Sequence, residues 1–207
     1  MKEIRVGLVG LGPRGRGCWA KHFGQMEGYK LVAVCDRFDE SVKKTMRNLN
    51  DPNVSSFRDF STMLKEASPD AVGICSDPDK QVDLAVEALE AGVHVMTEVP
   101  AAFTIEDLWR LVAAVEKTGL IYQLGEQTRH WGFVDAWKSI VSSGTLGRIV
   151  CAEGQYIGYY GAHWFFYDAE TGRYLSLDEA RSNPRARPTW RNGMHQSGIC
   201  RTNSARC

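Results

Sequence analysis

Through about residue 124 the apolar positions fall into two alternating kinds of segment. One kind is short and unbroken: Ile4, Val6, Leu8 and Val9, then Leu31–Cys35, Ala71–Cys75, Val93–Thr97 and Leu120–Leu124. Runs of this length, bounded by turn residues, predict strands buried on both faces. The other kind is longer and spaced for helices. Arg14–Met26 presents Trp19, Ala20, Phe23 and Met26 inward, and Asp39 or Ser41 caps a helix to about Leu49, where Asp51-Pro52-Asn53 breaks it. Phe57–Glu66 groups Phe60, Met63 and Leu64 on one side, and Ser68-Pro69-Asp70 turns the chain into the next strand. Asp79–Ala91 groups Val82, Ala85, Val86 and Leu89 and stops at Gly92. Thr104, with Asp107 as its capping partner, opens a helix striped by Leu108, Leu111, Val112 and Val115, and Gly119 closes it.

Strands alternating with helices demand a parallel sheet with right-handed crossovers, covered on both faces. The expected fold is therefore α/β, a doubly wound Rossmann sheet over residues 1–125. From Glu126 the pattern changes. Phe133–Val141 reads as a helix, Gly144–Gly147 as a turn, and Arg148–Tyr159 as a long strand carrying Ile149, Cys151 and Tyr156. An aromatic stretch, Tyr159–Tyr167, and a polar segment with Arg181, Pro184, Arg185, Arg187 and Pro188 follow. Residues 126–191 are expected to be the incomplete start of a second α+β domain. Residues 192–207 show neither period.

Composition narrows the function classes. The 25 basic and 25 acidic residues cancel, and no basic stripe recommends a nucleic acid. No apolar run is long enough for a bilayer, and the N-terminus enters a strand without signal-peptide architecture. The six cysteines show no CxxC spacing, and no His/Cys/Asp group has metal spacing, so no metal is expected. The expectation is a reduced, cytoplasmic protein, with Cys35 and Cys75 serving as small apolar residues in strands.

The chemistry concentrates where the first strand ends, in Gly10-Leu11-Gly12-Pro13-Arg14-Gly15. Gly10 permits a tight turn, Gly12 lets a pyrophosphate approach the backbone, and Gly15 lets the helix sit close to the strand. Asp36 closes the second strand at about the twenty-residue offset of a ribose-binding acid. Its carboxylate accepts from ribose hydroxyls and repels a 2′-phosphate, favouring NAD. Arg37 can stack on adenine or pair with that phosphate, which leaves NADP possible. Arg14 reads either as a pyrophosphate contact or as an exposed helix-start arginine.

The arrangement resembles the Gfo/Idh/MocA family, the relatives of glucose–fructose oxidoreductase and inositol dehydrogenase. Besides the glycine turn, the resemblance rests on Glu-Ala-Gly-Val-His-Val-Met-Thr-Glu98-Val99-Pro100, on the helix from Thr104, on Gly144-Thr-Leu-Gly147-Arg148-Ile149, and on Pro188-Thr-Trp190-Arg191. It implies an NAD(P)-dependent oxidoreductase that transfers hydride to or from a sugar-like or polyol substrate, with residues 126–191 as part of a C-terminal substrate and oligomerisation domain and full-length relatives forming homo-oligomers. One branch of the family cleaves glycosides through a transient oxidation at tightly held NAD, which gives a second reading. A non-catalytic dinucleotide-binding module is a third. Ser76-Asp77-Pro78 matches the family's cofactor-side turn, but the His expected nearby is absent and Gln81 is the nearest polar group. Val99 stands where the family has Lys, so no ammonium is available there to orient a substrate oxygen. Glu98 reads as a cofactor neighbour or as a turn cap. Glu126, at the mouth of the sheet, and His130 and His163, beside aromatics, are the candidates for substrate contact and proton transfer; His94, inside a strand, reads as structural. Back-translated and read from the third base of each codon, Gly193–Cys207 can yield Ala-Pro-Ile-Arg-Tyr-Leu-Pro-His-Glu-Leu-Ser-Pro-Leu. That resembles the family's continuation and leads to the expectation of a frameshift near Asn192 and a truncated chain that keeps the cofactor site but lacks a finished active site.

Overall fold

The computed structural model describes residues 3–154 and 165–192. Six parallel strands form the main sheet: β1 (Ile4–Val9), β2 (Tyr29–Cys35), β3 (Ser55–Phe57), β4 (Ala71–Ile74), β5 (His94–Thr97) and β6 (Tyr122–Leu124). Their order across the sheet is β3-β2-β1-β4-β5-β6. The chain direction across the sheet reverses between β1 and β4, so a crevice opens beyond the carboxyl ends of these two strands.

The apolar runs of β1, β2 and β4 are unbroken because both faces are covered there. The expected last run is not buried on both faces, since β6 is an edge strand and Ile121 and Leu124 are 65% and 38% exposed. On one side Met63, Val82, Ala85, Leu89 and Leu111 pack under α3 (Phe60–Ala67), α4 (Pro78–Glu90) and α5 (Ile105–Thr118). On the other, Leu8, Leu31 and Val34 meet Trp19 and Ala20, with Met46 and Leu49 of α2 (Asp39–Leu49) beside them. The first helical stretch is a π-helical turn at Gly15–Trp19 running into a short α1, Ala20–Phe23. The expected helix ends earlier than Met26, which is 44% exposed.

Several other elements differ from the pattern-based expectation for identifiable reasons. Phe57 belongs to β3, not to a helix: Ser55–Phe57 has no period of its own and is a strand because it pairs with Ala33–Cys35. α3 starts after Asp59, whose Oδ1 accepts from Thr62 N at 2.8 Å. α2 is capped by neither Asp39 nor Ser41. Phe38 occupies the cap position without a side-chain bond, and Asp39 and Glu40 lie in the first turn, where the helix dipole favours them. Thr104 caps α5 as expected, accepting from Asp107 N at 3.1 Å. Of the expected α5 stripe, Leu111 is buried, whereas Leu108 and Val112 are 42% and 41% exposed.

After the sheet come a 3-10 turn, Gln127–His130, and α6, Gly132–Ser142, which contains the expected helix. Residues 148–154 of the expected long strand are not a strand; none of the described strands runs beside them to supply ladder hydrogen bonds. Tyr156, Tyr159, His163, Trp164 and the segment 193–207 lie outside the described residues.

A second, antiparallel sheet in the order β8-β7-β9 is formed by β7 (Phe166–Asp168), β8 (Tyr174–Leu175) and β9 (Ala186–Pro188). α7 (Leu177–Ser182) joins β8 to β9 and begins with a capping box in which Ser176 and Glu179 satisfy each other's backbone N–H. Asp168 ties this unit together. Its Oδ1 accepts from Glu170 N and Thr171 N, both at 3.0 Å, and its Oδ2 from Asn183 Nδ2 at 2.8 Å and Arg185 Nε at 3.0 Å. The Asn183 side chain, with the Thr171 N–H next, holds the carboxyl well below the usual carboxylate range.

Candidate functional site

The crevice at the reversal point begins with the turn after β1. Gly10 has φ +87, and a Cβ there would lie 2.5 Å from the Cys75 carbonyl carbon and oxygen. A Cβ on Gly15 would lie 1.9 Å from Gly10 O. Both positions therefore exclude any side chain, and the first helical stretch sits directly against the end of β1. Gly12 has nothing within 4 Å of its missing Cβ, so its backbone is open to an incoming group. Pro13 and Arg14 begin the helical stretch behind it, and the side chain of Leu11 is fully buried.

Asp36 lies at the end of β2 and reaches across to the turn. Its Oδ2 accepts from Leu11 N at 2.6 Å and its Oδ1 from Phe38 N at 2.8 Å. Burial pushes this carboxyl up, and the N–H groups of Phe38 and Leu11 oppose that shift. Arg37 points along the rim, 3.7 Å from Asp77 Oδ2, with its guanidinium 4.7 Å from the Phe38 ring centre. Asp77 is the cap residue of α4, with Pro78 in the first turn, and Ser76 precedes them. Burial also raises the Asp77 carboxyl, against the charge of Arg37.

A cleft of about 350 Å³ joins these groups, lined by Gly10, Gly12, Asp36, Arg37, Ser76 and Asp77 among others. This volume lies in the range of small-molecule sites, about 300–1,000 Å³. The turn, the open backbone at Gly12 and the acid on the neighbouring strand together fit a dinucleotide, with its pyrophosphate on the turn and a ribose at Asp36.

Glu98, just beyond β5, accepts at Oε2 from both Arg14 Nε and Trp19 Nε1, each at 2.7 Å. The Arg14 guanidinium also bonds Gln127 Oε1. Glu98 and Arg14 thus lock the first helical stretch to the ends of β5 and β6. Gln81 is fully buried, with its Nε2 donating to Pro100 O at 2.7 Å; it braces the turn after Val99 and is not among the residues lining the cleft. Its Oε1 has no partner among the described residues. Val99 is 36% exposed. Glu126 caps the 3-10 turn, and its bonds from the Thr128 hydroxyl and N–H hold the carboxyl below its ordinary value. His130 is exposed at the end of that turn. His94 Nδ1 accepts from Ile121 N at 3.0 Å, bridging β5 to the approach of β6.

Sequence reasoning did not place Tyr167, Gly172, Tyr174 or Thr189 in the cleft, yet all four line it. No local period announces them; only the fold of the second sheet brings them there. Trp19 fits the inward stripe of its helix, and its indole N–H on Glu98 has no sequence signature. Among the described residues no group of three or more His, Cys, Asp or Glu could hold a metal ion, and no helix is long and apolar enough to cross a membrane.

Known proteins match this arrangement. The model of an oxidoreductase family with an NAD-binding Rossmann fold, named GFO_IDH_MocA, matches residues 4–126. Glycosyl hydrolase family 109 protein 2 of Phocaeicola vulgatus is 33% identical over 177 residues, 83% of this chain and 42% of that protein. Glycosyl hydrolase family 109 protein of Porphyromonas gingivalis is 30% identical over 81% of this chain and 37% of its own length. Among solved structures, scyllo-inositol dehydrogenase from Lactobacillus casei, with bound NAD(H) and scyllo-inositol, superposes with a TM-score of 0.67 at 29% identity. That match covers 72% of this chain and 44% of the dehydrogenase. The WlbA dehydrogenase from Bordetella pertussis, in complex with NADH and UDP-GlcNAcA, gives a TM-score of 0.65 at 28% identity, over 72% of this chain and 42% of that one. The chain thus spans less than half the length of these relatives.

Proposed function

This chain belongs to the Gfo/Idh/MocA oxidoreductase family, and from that premise we propose that it binds NAD in the crevice above β1 and β4 and serves hydride transfer on a sugar-like or polyol substrate. The observation that carries the cofactor choice is Asp36. Its carboxylate follows β2 beside the glycine turn, where this class of fold takes up a ribose, and a 2′-phosphate there would meet a negative charge in a partly buried site. Bound nicotinamide dinucleotide supplies the hydride donor or acceptor.

The residues of the chain bind and orient. The turn from Gly10 to Gly15 presents backbone N–H groups to the pyrophosphate. Asp36 accepts from the ribose hydroxyls while keeping the turn in place through Leu11 N. Arg14, held by Glu98 and Gln127, fixes the distance between the turn and the far end of the crevice. Position 99 supplies no titrating group. Of the described candidates for substrate contact and proton transfer, Glu126 caps the 3-10 turn and His130 is exposed at its end. His163 lies outside the described residues and is the other His candidate.

The sugar-like substrate is supported by the inositol and nucleotide-sugar ligands named for the two structural relatives. A second reading, glycoside cleavage with no net change in NAD, is favoured by the names of the curated relatives at 33% and 30% identity. One assay separates the two. With NAD and a panel of inositols, aldoses and nitrophenyl glycosides, a dehydrogenase accumulates NADH absorbance, whereas a glycosidase releases nitrophenol without it. Calorimetric titration with NAD and NADP comes first. Tighter binding of NADP than of NAD by the folded protein overturns the Asp36 argument.

A further inference from the structure

The cleft is not closed by the main sheet alone. Tyr167 of β7 meets Phe38 edge to face, with ring centres 6.0 Å apart and planes at 67°. The Arg37 guanidinium lies 4.7 Å from the Phe38 ring centre and 5.7 Å from that of Tyr167. Gly172, in the turn between β7 and β8, has φ +71, and a Cβ there would come 2.5 Å from Phe38 Cδ2. The hairpin therefore presses on the residue that follows the ribose acid and its arginine, and only glycine allows it to sit so close. Asp168 keeps this turn in shape through Glu170 N and Thr171 N. Tyr174 of β8 lines the same cleft, and burial pushes its phenol up, with the charge of Asp77 adding to the effect.

A ligand whose ribose reaches Asp36 must project its base past Arg37 and Phe38, between the end of β2 and the Ser76–Asp77 turn. That is where Tyr167 and Tyr174 stand. We propose that the β7–β8 hairpin, which lies outside the dinucleotide-binding domain, is the outer wall of the adenosine subsite. Arg37, Phe38 and Tyr167 form the surface on which an adenine ring lies, and Tyr174 and the Gly172 turn close the cleft around it. The assignment rests on the dinucleotide reading above and goes beyond it, because it makes adenine-nucleotide affinity depend on a segment that follows the six-stranded sheet. Flat aromatic and guanidinium surfaces suit a purine, and the cleft volume of about 350 Å³ suits one nucleoside with its phosphate.

The test uses the full chain and AMP, which carries the adenosine half alone. Tyr167→Leu, which keeps an apolar side chain against Phe38, and Gly172→Ala, which forces the turn off Phe38, are each expected to weaken AMP and NAD by about five- to tenfold. Unchanged or tighter AMP binding in folded variants overturns the assignment; tighter binding would make the hairpin a plug, not a wall. Hydrogen exchange on the unaltered protein removes the dependence on variant folding. AMP is expected to slow exchange in Phe166–Leu175 together with Leu11–Gly15. Slowing at Leu11–Gly15 alone overturns the wall while sparing the dinucleotide site. If neither segment responds to AMP or to NAD, the dinucleotide reading and the wall fall together.

Discussion

At the scale of single residues, the site depends on a few atoms with no room to move. Gly15→Ala places a methyl group 1.9 Å from Gly10 O, so the helical stretch must shift away from β1. The expected outcome is a loss of about 2–3 kcal/mol in stability, read by denaturant midpoint, and NAD binding too weak to measure by calorimetry. Asp36→Asn turns one of two acceptor oxygens into a donor facing a backbone N–H, and is expected to cost about 10- to 100-fold in NAD affinity. Because burial raises the Asp36 carboxyl, its proton is taken up at a higher pH than an ordinary carboxyl takes it up. The ribose-binding form is the carboxylate, so NAD affinity should fall on acidification and begin to fall above the ordinary carboxyl range. Titrations at a series of pH values check this, and Asp36→Asn should flatten the dependence. Burial also pushes the Cys35 thiol from 9.0 to about 12. The native state holds that proton where the unfolded chain has lost it. The stabilising contribution is complete below pH 9 and is lost as pH rises towards about 12. Cys35→Val should show a shallower alkaline loss of thermal midpoint.

Among the elements, those with strong caps and long periods were legible in the chain, and those made by their neighbours were not. α5 was readable from Thr104 to Gly119 because both ends carry their own chemistry, a threonine accepting from Asp107 N and a glycine at φ +66. β3 was not, because Ser55–Phe57 becomes a strand only by pairing with Ala33–Cys35. The same holds for the second sheet, whose three strands are two or three residues long. α7 has only six residues and depends on its capping box. Ser176→Ala should cost about 1 kcal/mol locally and speed amide exchange across α7, while β1 and β2 stay protected.

For the whole molecule, the central strands are buried on both faces, but Ile121 and Leu124 at the β6 edge are 65% and 38% exposed, and α5 and α6 also present apolar residues outward. Ile105 and Trp109 are 68% and 66% exposed on α5, and Phe133, Trp137 and Ile140 are 46%, 60% and 45% exposed on α6. Large exposed apolar surface promotes association. Light scattering is expected to show particles that grow with concentration, and the double change Trp137→Gln and Ile140→Lys should reduce that growth without altering NAD affinity.

The sequence by itself determined the α/β fold, the glycine turn and the acid that answers it. Each is written in local terms, as apolar runs of strand length, helical periods with their own stops, and backbone positions that only glycine can fill. The tertiary structure alone decided that Glu98 holds Arg14 and Trp19, that Gln81 braces Pro100, and that Tyr167 and Tyr174 stand at the cleft. Those partners lie 84, 79 and 19 positions apart in the first three bonds. A side chain's role at such separations is set by which strands the fold places side by side, and no pattern within one segment carries that information.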